Sequence, residues 1–258
     1  RDQPRSRGLG DVYKRQMWRM QSYRRILLSG LLRTPSGLMN LLQMTVLSYY
    51  FGNNGRTPYV HYMLLLGIPA FLGQLIAAGA APKLADKHGA ATTFAQANVF
   101  AGLALLAAFA LFLCRPQQLT QALPFTLLIL LLFCNMFCCG LVNTVQSILI
   151  ADAADLTEKE SGIRRDGIFV SGQSLLIKLS TGVSALLQGL VFAISGFSGT
   201  AVRQINRALY AGADFATDPS FATPRFAMFF LFLCLPGIAY LLSALPYRKG
   251  RNPHKAPV

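Results

Sequence analysis

The sequence predicts an all-α membrane protein of six transmembrane helices. Three observations carry that reading: little charge, six long apolar runs, and basic residues gathered on one side. The chain has 258 residues, 53% hydrophobic and 13% charged, with a mean hydropathy of +0.43. A soluble domain carries about 25% charged residues. A spanning helix needs roughly 20 mostly apolar residues, and runs of that kind lie at about 26–51, 58–81, 91–114, 123–150, 168–195 and 225–246. None shows the alternating pattern of a membrane barrel strand.

The net charge of +14 would suggest nucleic acid in a soluble protein, but its placement argues for orientation in a membrane instead. Basic residues crowd the stretch before residue 26, the connections carrying Lys83, Lys87, Lys159, Arg164 and Arg165, and the C-terminal tail. The opposite side has only Arg56, Arg115, Arg203, Arg207 and Arg225. By the positive-inside rule both termini are expected in the cytoplasm, in a multi-pass protein of the plasma (inner) membrane, with the lipid bilayer and no nucleic acid as partner.

Span one carries Arg33 and Pro35, then Asn40, Gln43 and the pair Tyr49 and Tyr50. Arg33 sits about eight residues from the start of the span, roughly 12 Å along a helix, near enough to snorkel or to anchor. Pro35 breaks the helical ladder and frees a carbonyl. The tyrosines fit an interfacial belt. Span two contains Gly67, Pro69, Gly73 and Gly79, small residues that allow close helix approach, with His61 and Gln74 as minor polar contacts. Span three is alanine-rich and reads as packing.

Span four holds Asn143 and Gln146, three apart and so on one face. Span five places Ser171, Ser174, Lys178, Thr181 and Gln188 in one polar stripe on an apolar helix, which calls for protein or water beside it. A lone ammonium in a span costs at least about 2.5–3.5 kcal/mol unless paired or hydrated. All ten Asp and Glu lie outside the spans or at their ends, so Lys178 has no acidic partner within them. Span six reads as peripheral or lipid-facing by composition, with a bend at Pro236-Gly237. The connection before it is polar and has room for a short helix.

Residues 1–16 read as a leader, possibly non-native, residues 17–250 as the six-helix unit, and residues 251–258 as a basic cytoplasmic tail. The five cysteines lie in or at the ends of spans without zinc spacing, so no metal site is expected. The absence of HExxH, GxSxG or paired acids in the bundle gives no basis for an enzyme.

Two segments carry a resemblance. "LADKHG", residues 84–89, resembles the cytoplasmic loop motif of the major facilitator superfamily. Residues 143–197 resemble the penultimate cytoplasmic loop and following helix of the glycoside–pentoside–hexuronide:cation symporters, the group of the melibiose permeases. Ala151, Asp152, Asp155, Glu158, Gly162, Arg164 and Lys178 occupy that pattern.

The resemblance implies one six-helix half of a major-facilitator bundle, the C-terminal half of a secondary active sugar:cation symporter working by alternating access. It implies a substrate cavity drawing on Lys178, Ser174, Thr181, Asn143, Gln146, Asn40 and Gln43. A cytoplasmic gate would draw on Asp152, Asp155, Glu158, Arg164, Arg165 and Asp86. Sugar or glycoside would be the substrate. No cofactor is implied beyond a coupling cation, Na+ or H+, bound mainly by a missing N-terminal six-helix half that also faces Lys178. The alternative is a stand-alone six-helix protein that homodimerises or serves as a non-transporting partner.

Overall fold

Helix accounts for nearly every described residue, and no strand occurs among them; the computed structural model describes residues 21–55, 58–161, 166–194 and 199–247. In hydrocarbon a backbone amide finds no water, so a span must satisfy its own N–H and C=O groups as a helix. Among the described residues five runs are long and apolar enough to cross a membrane: Val60–His88, Ala90–Cys114, Ala122–Lys159, Phe169–Ile194 and Pro219–Tyr247.

The expected first span is interrupted. Helix α1 (Gln21–Leu32) stops at Arg33, a 3-10 turn fills Thr34–Gly37, α2 (Leu38–Val46) resumes, and a π-helical turn at Leu47–Phe51 ends the segment. Pro35 has no N–H for the carbonyl of Leu31, and Gly37 is a poor helix former, so the ladder gives way between them. Asn53, Asn54 and Gly55 then turn the chain with positive φ, a region that asparagine and glycine tolerate.

The remaining helices are α3 (Val60–His88), α4 (Ala90–Cys114), α5 (Ala122–Ser161), α6 (Asp166–Ile194), α7 (Gly199–Tyr210), α8 (Ala222–Phe229) and α9 (Leu235–Ser243). Two connections shrink relative to expectation. Helix α3 runs on to His88, so residues 84–88 are helical and Gly89, at φ 85, is the joint to α4. Helix α5 continues past residue 150 to Ser161, which puts Asp152, Asp155 and Glu158 on a helix rather than in a loop. The hydrogen-bond ladder carries on where the apolar run ends, because polar side chains do not interrupt it.

Span six also differs from its reading as peripheral. Of its most apolar stretch 56% is buried, the largest share among the five. Composition does not separate a lipid neighbour from a protein one, since lipid tails are as apolar as Leu. Here the neighbours are aromatic: Phe229 stacks on Phe112 at 4.2 Å and meets Tyr50 edge-on at 5.0 Å.

Helices α3 and α4 both pack along α5, α9 joins α4 to the first span, and α6 lies against the 3-10 turn. Small residues set the closest crossings. Gly73, Ala77, Ala81 and Ala85 recur every fourth residue and bury one face of α3 beside Leu141, Val142 and Val145 of α5. Buried polar groups tie the ends: Ser29 Oγ donates to Ser243 O at 2.6 Å, and Ser243 Oγ to Asn98 Oδ1 at 2.8 Å. At the end of the bundle that carries α7, Tyr50 donates to Pro116 O at 3.0 Å and Tyr49 to Asn206 at 3.0 Å. The tyrosine pair therefore braces connections rather than lining a cavity. Buried Arg225 holds the carbonyls of Phe215 and Ala216 at 2.8 and 2.7 Å.

Glycine substitutions separate the tight crossings from the loose ones. A Cβ on Gly102 would sit 2.7 Å from the backbone oxygen of Gly237, whereas one on Gly79 meets nothing within 4 Å. Gly102→Ala is expected to cost about 1–3 kcal/mol and lower the melting temperature in detergent, while Gly79→Ala leaves it level or raises it. Equal melting temperatures for the two variants would contradict this packing.

Candidate functional site

The break in the first span leaves backbone groups that must find partners inside the bundle. The hydroxyl of Thr34 takes over for the missing Pro35 N–H and donates to Leu31 O at 2.8 Å. The carbonyl of Thr34 is then captured from another helix: Ser180 Oγ donates to it at 2.7 Å and Ser184 Oγ at 3.1 Å. The two serines are four apart on α6 and so share a face. A Cβ on Gly37 would lie 2.7 Å from Ser184 Oγ and 3.0 Å from Ser180 Oγ, so glycine is what lets α6 come this close. The carbonyl that Pro35 frees, Leu31 O, is thus met locally, whereas the two side-chain donors to Thr34 O lie more than a hundred residues along the chain.

Arg33, at the edge of this break, reaches across to α5. Its Nη2 donates to Gln146 Oε1 at 2.6 Å, while Nη1 is buried without a hydrogen-bond partner. The guanidinium carbon stands 6.0 Å from the centre of the Phe94 ring, at the outer limit of a cation–π contact. Nearby, the Tyr240 hydroxyl and Cys139 Sγ are 3.0 Å apart, and Asn135 Nδ2 donates to Ala101 O at 3.2 Å. Arg33, first read as an anchor, is part of this polar interior.

Arg33, Cys139, Gln146, Ser180 and Tyr240 border a cavity of about 630 Å³. The first span contributes Arg33, Ser36 and Asn40, α3 gives Gln74, α5 gives Asn143, Gln146 and Ser147, and α6 gives Gln173, Ser180 and Thr181. Among the described residues its wall holds one cationic side chain and no Asp or Glu. Amides and hydroxyls offer both donors and acceptors, a lining that suits a polyhydroxylated, uncharged or anionic solute.

Four expected cavity residues, Asn40, Asn143, Gln146 and Thr181, stand in this wall, and three do not. Gln43 faces a neighbouring apolar cavity. Ser174 and Lys178 are exposed on α6, outside the wall formed by Gln173, Leu176, Ile177, Ser180 and Thr181. The helical turn divides the predicted stripe. Consecutive residues are rotated by about 100°, which turns Lys178 away from the face of Ile177 and Thr181. Gln74, Ser147, Gln173, Ser180 and Tyr240 were not among the expected cavity residues. The signal available for them was an amide or hydroxyl within an apolar run.

Of the gate residues, Asp152 and Asp155 are exposed and Glu158 is half-buried on the last turns of α5, and Asp86 is exposed at the end of α3. Arg164 and Arg165 lie outside the described residues. Thr93 Oγ1 donates to Leu84 O at 3.1 Å, fastening α4 to the end of α3 beside Asp86.

Comparison with known proteins adds two findings. The family described as MFS/sugar transport protein matches residues 8–249. An uncharacterized 29.9 kDa protein in the crtE 3' region of Pseudescherichia vulneris is 26% identical over 167 residues, which cover 65% of this chain and 56% of that protein. The chain thus matches little more than half the length of that relative. No solved structure matches.

The captured carbonyl makes a test by substitution. A single interhelical hydrogen bond in a membrane protein contributes about 0.6 kcal/mol, and Ser180→Ala or Ser184→Ala alone leaves one of the two between α6 and Thr34 O. The double variant removes both, so it should lose about 1 kcal/mol of stability relative to the wild type. A double variant as stable as the wild type in thermal or denaturant unfolding would contradict this docking of α6.

Proposed function

Because the chain belongs to the MFS/sugar transport protein family, we propose that it forms the C-terminal six-helix half of a sugar:cation symporter in the plasma membrane. It is a multi-pass membrane protein of a transporter family. The observation that carries the finer reading is the polar cavity, bounded on two sides by the helices with the least burial. Only 11% of the most apolar stretch of α3 and 6% of that of α6 is buried. Residues such as Ile68, Phe71, Leu175 and Leu186 are more than half exposed. A second six-helix half would cover those faces and close the cavity at its midplane, the usual place for a transporter site between repeats.

Within this reading the sugar hydroxyls bond to Asn40, Asn143, Gln146 and Thr181, with Arg33 supplying the fixed charge. Lys178 stands on the exposed face of α6, where it meets the opposing half and its carboxylates rather than the wall described above. Coupling to Na+ or H+ falls to those carboxylates, since the cavity wall has none among the described residues. Asp86, Asp152, Asp155 and Glu158 form a gate with Arg164 and Arg165 on the side where both termini lie, the cytoplasm by charge asymmetry. A second reading has two copies meet across the same faces.

Uptake of radiolabelled sugars by cells producing the complete carrier tests the proposal. Asn143→Leu together with Gln146→Leu replaces two cavity amides by apolar groups and should lower uptake at least ten-fold with membrane protein levels unchanged. Lys178→Ala should abolish accumulation against a gradient. Unaltered uptake in the double variant would remove the cavity from the mechanism.

A further inference from the structure

On another flank of the bundle lies a groove of about 590 Å³ that shares no described wall residue with the polar cavity. Helices α3 and α4 both pack along α5 far more than against each other, which leaves part of α5 uncovered between them. The walls of the groove are apolar for most of its length, with Phe100, Leu103 and Ala107 from α4 and Leu131, Phe133 and Phe137 from α5. Phe100 and Leu103 are 62% and 50% exposed, so the groove is open along its side. From Thr93 to Ala107 it follows α4 for about 21 Å, more than the roughly 15 Å of hydrocarbon in one leaflet.

Its amide, hydroxyl and imidazole groups collect at one end, where Gln96, Thr93 and His88 stand. There Gly89 joins α3 to α4, and Thr93 Oγ1 donates to Leu84 O at 3.1 Å. Lys87 and His88 follow Leu84 by three and four residues and so share its flank of α3. Lys83, one turn before Lys87, is exposed as Lys87 is. The neighbouring acid, Asp86, stands about 160° around α3 from Leu84. The mouth is therefore cationic, on the side where both termini lie.

An amphiphile with long apolar chains and a negative head matches both ends of this groove. We propose that it binds one anionic glycerophospholipid of the cytoplasmic leaflet, with an acyl chain along α4 and α5 and the phosphate beside Lys87 and His88. Basic pockets between transmembrane helices on the cytoplasmic side recognise such headgroups, and each buried methylene strengthens the hold. Ile68, Phe71, Leu175 and Leu186, which an opposing half would cover, are not in the groove wall. The site does not depend on which solute is carried.

Quenching of tryptophan fluorescence in bilayers tests this on the full-length protein. Phe100→Trp, in a background without other tryptophans, places the reporter in the groove wall at an exposed position. Phosphatidylcholine bilayers receive brominated phosphatidylglycerol or brominated phosphatidylcholine of the same chains, and the quenching gives their relative binding constant. Phosphatidylglycerol should be favoured at least ten-fold, since each of the two lysines contributes roughly five-fold. Lys87→Ala should cut the preference about five-fold, and adding Lys83→Ala should bring it near one. Lys159→Ala removes a cation about 27 Å along α5 from Leu141 and should leave the preference unchanged.

Equal binding of the two lipids before any lysine is replaced overturns the proposal. So does a preference that survives loss of both Lys83 and Lys87. A preference that Lys159→Ala lowers as much as Lys87→Ala also overturns it, because the charge then acts from the whole surface and not from the mouth. If neither brominated lipid quenches the reporter, the proposal fails and the groove belongs to a protein neighbour, the opposing half or a second copy.

Discussion

One carbonyl organises this bundle. Pro35 removes a backbone donor, the α-helical ladder gives way to a 3-10 turn over Thr34–Gly37, and Thr34 O is turned toward α6, which supplies it with two side-chain donors. In water such a group is solvated at little cost. Inside a membrane bundle it has to be met by protein. Ser180 and Ser184 meet it, and glycine at position 37 lets α6 close to that distance. The cavity follows from the same break, for the residues around it, Arg33, Ser36 and Asn40, are those that the interruption presents to the interior.

The electrostatics are set by the same economy. A charge in the span region is expensive unless it has a counterpart, yet Arg33 is bound by one amide oxygen and keeps a buried nitrogen free of hydrogen bonds. Lys178 on α6 is exposed. The cavity therefore carries positive charge, with no acid in its wall among the described residues. A symporter half with this balance depends on the opposing half for its carboxylates, and the thin burial of α3 and α6 leaves two apolar faces for that half to cover.

What could be read from residues alone was governed by range. Apolar length reports on lipid directly, so five runs were recognised as long helices, and the first as a span with a weak point at Pro35. Where helices stop was less legible. The apolar runs of spans two and four end at about residues 81 and 150, yet α3 continues to His88 and α5 to Ser161. Burial of span six was illegible because Phe229 and Leu231 look the same beside lipid or beside Phe112. The site divided along the same line. Asn143 and Gln146 drew attention by standing in an apolar run. Arg33 drew attention too, but as a snorkelling or anchoring charge, since its partner Gln146 is far along the chain and only the fold brings them to 2.6 Å. Lys178 was the loudest signal in the sequence, yet helical phase, not residue type, decides which wall it faces.

The most direct measurement places a reporter in the cavity wall of the complete carrier. Ser147 lines the cavity, is exposed, and bonds only to Asn143 O of its own helix at 3.2 Å, so Ser147→Cys changes little else. In a background with the five native cysteines replaced by alanine, the rate of labelling by a small charged maleimide is measured with and without a transported sugar. The account predicts at least five-fold slower labelling at saturating sugar, with no slowing for a cysteine placed at Gly79, outside the cavity. A labelling rate at Ser147→Cys that sugar leaves unchanged, in protein that still takes up that sugar, would contradict it.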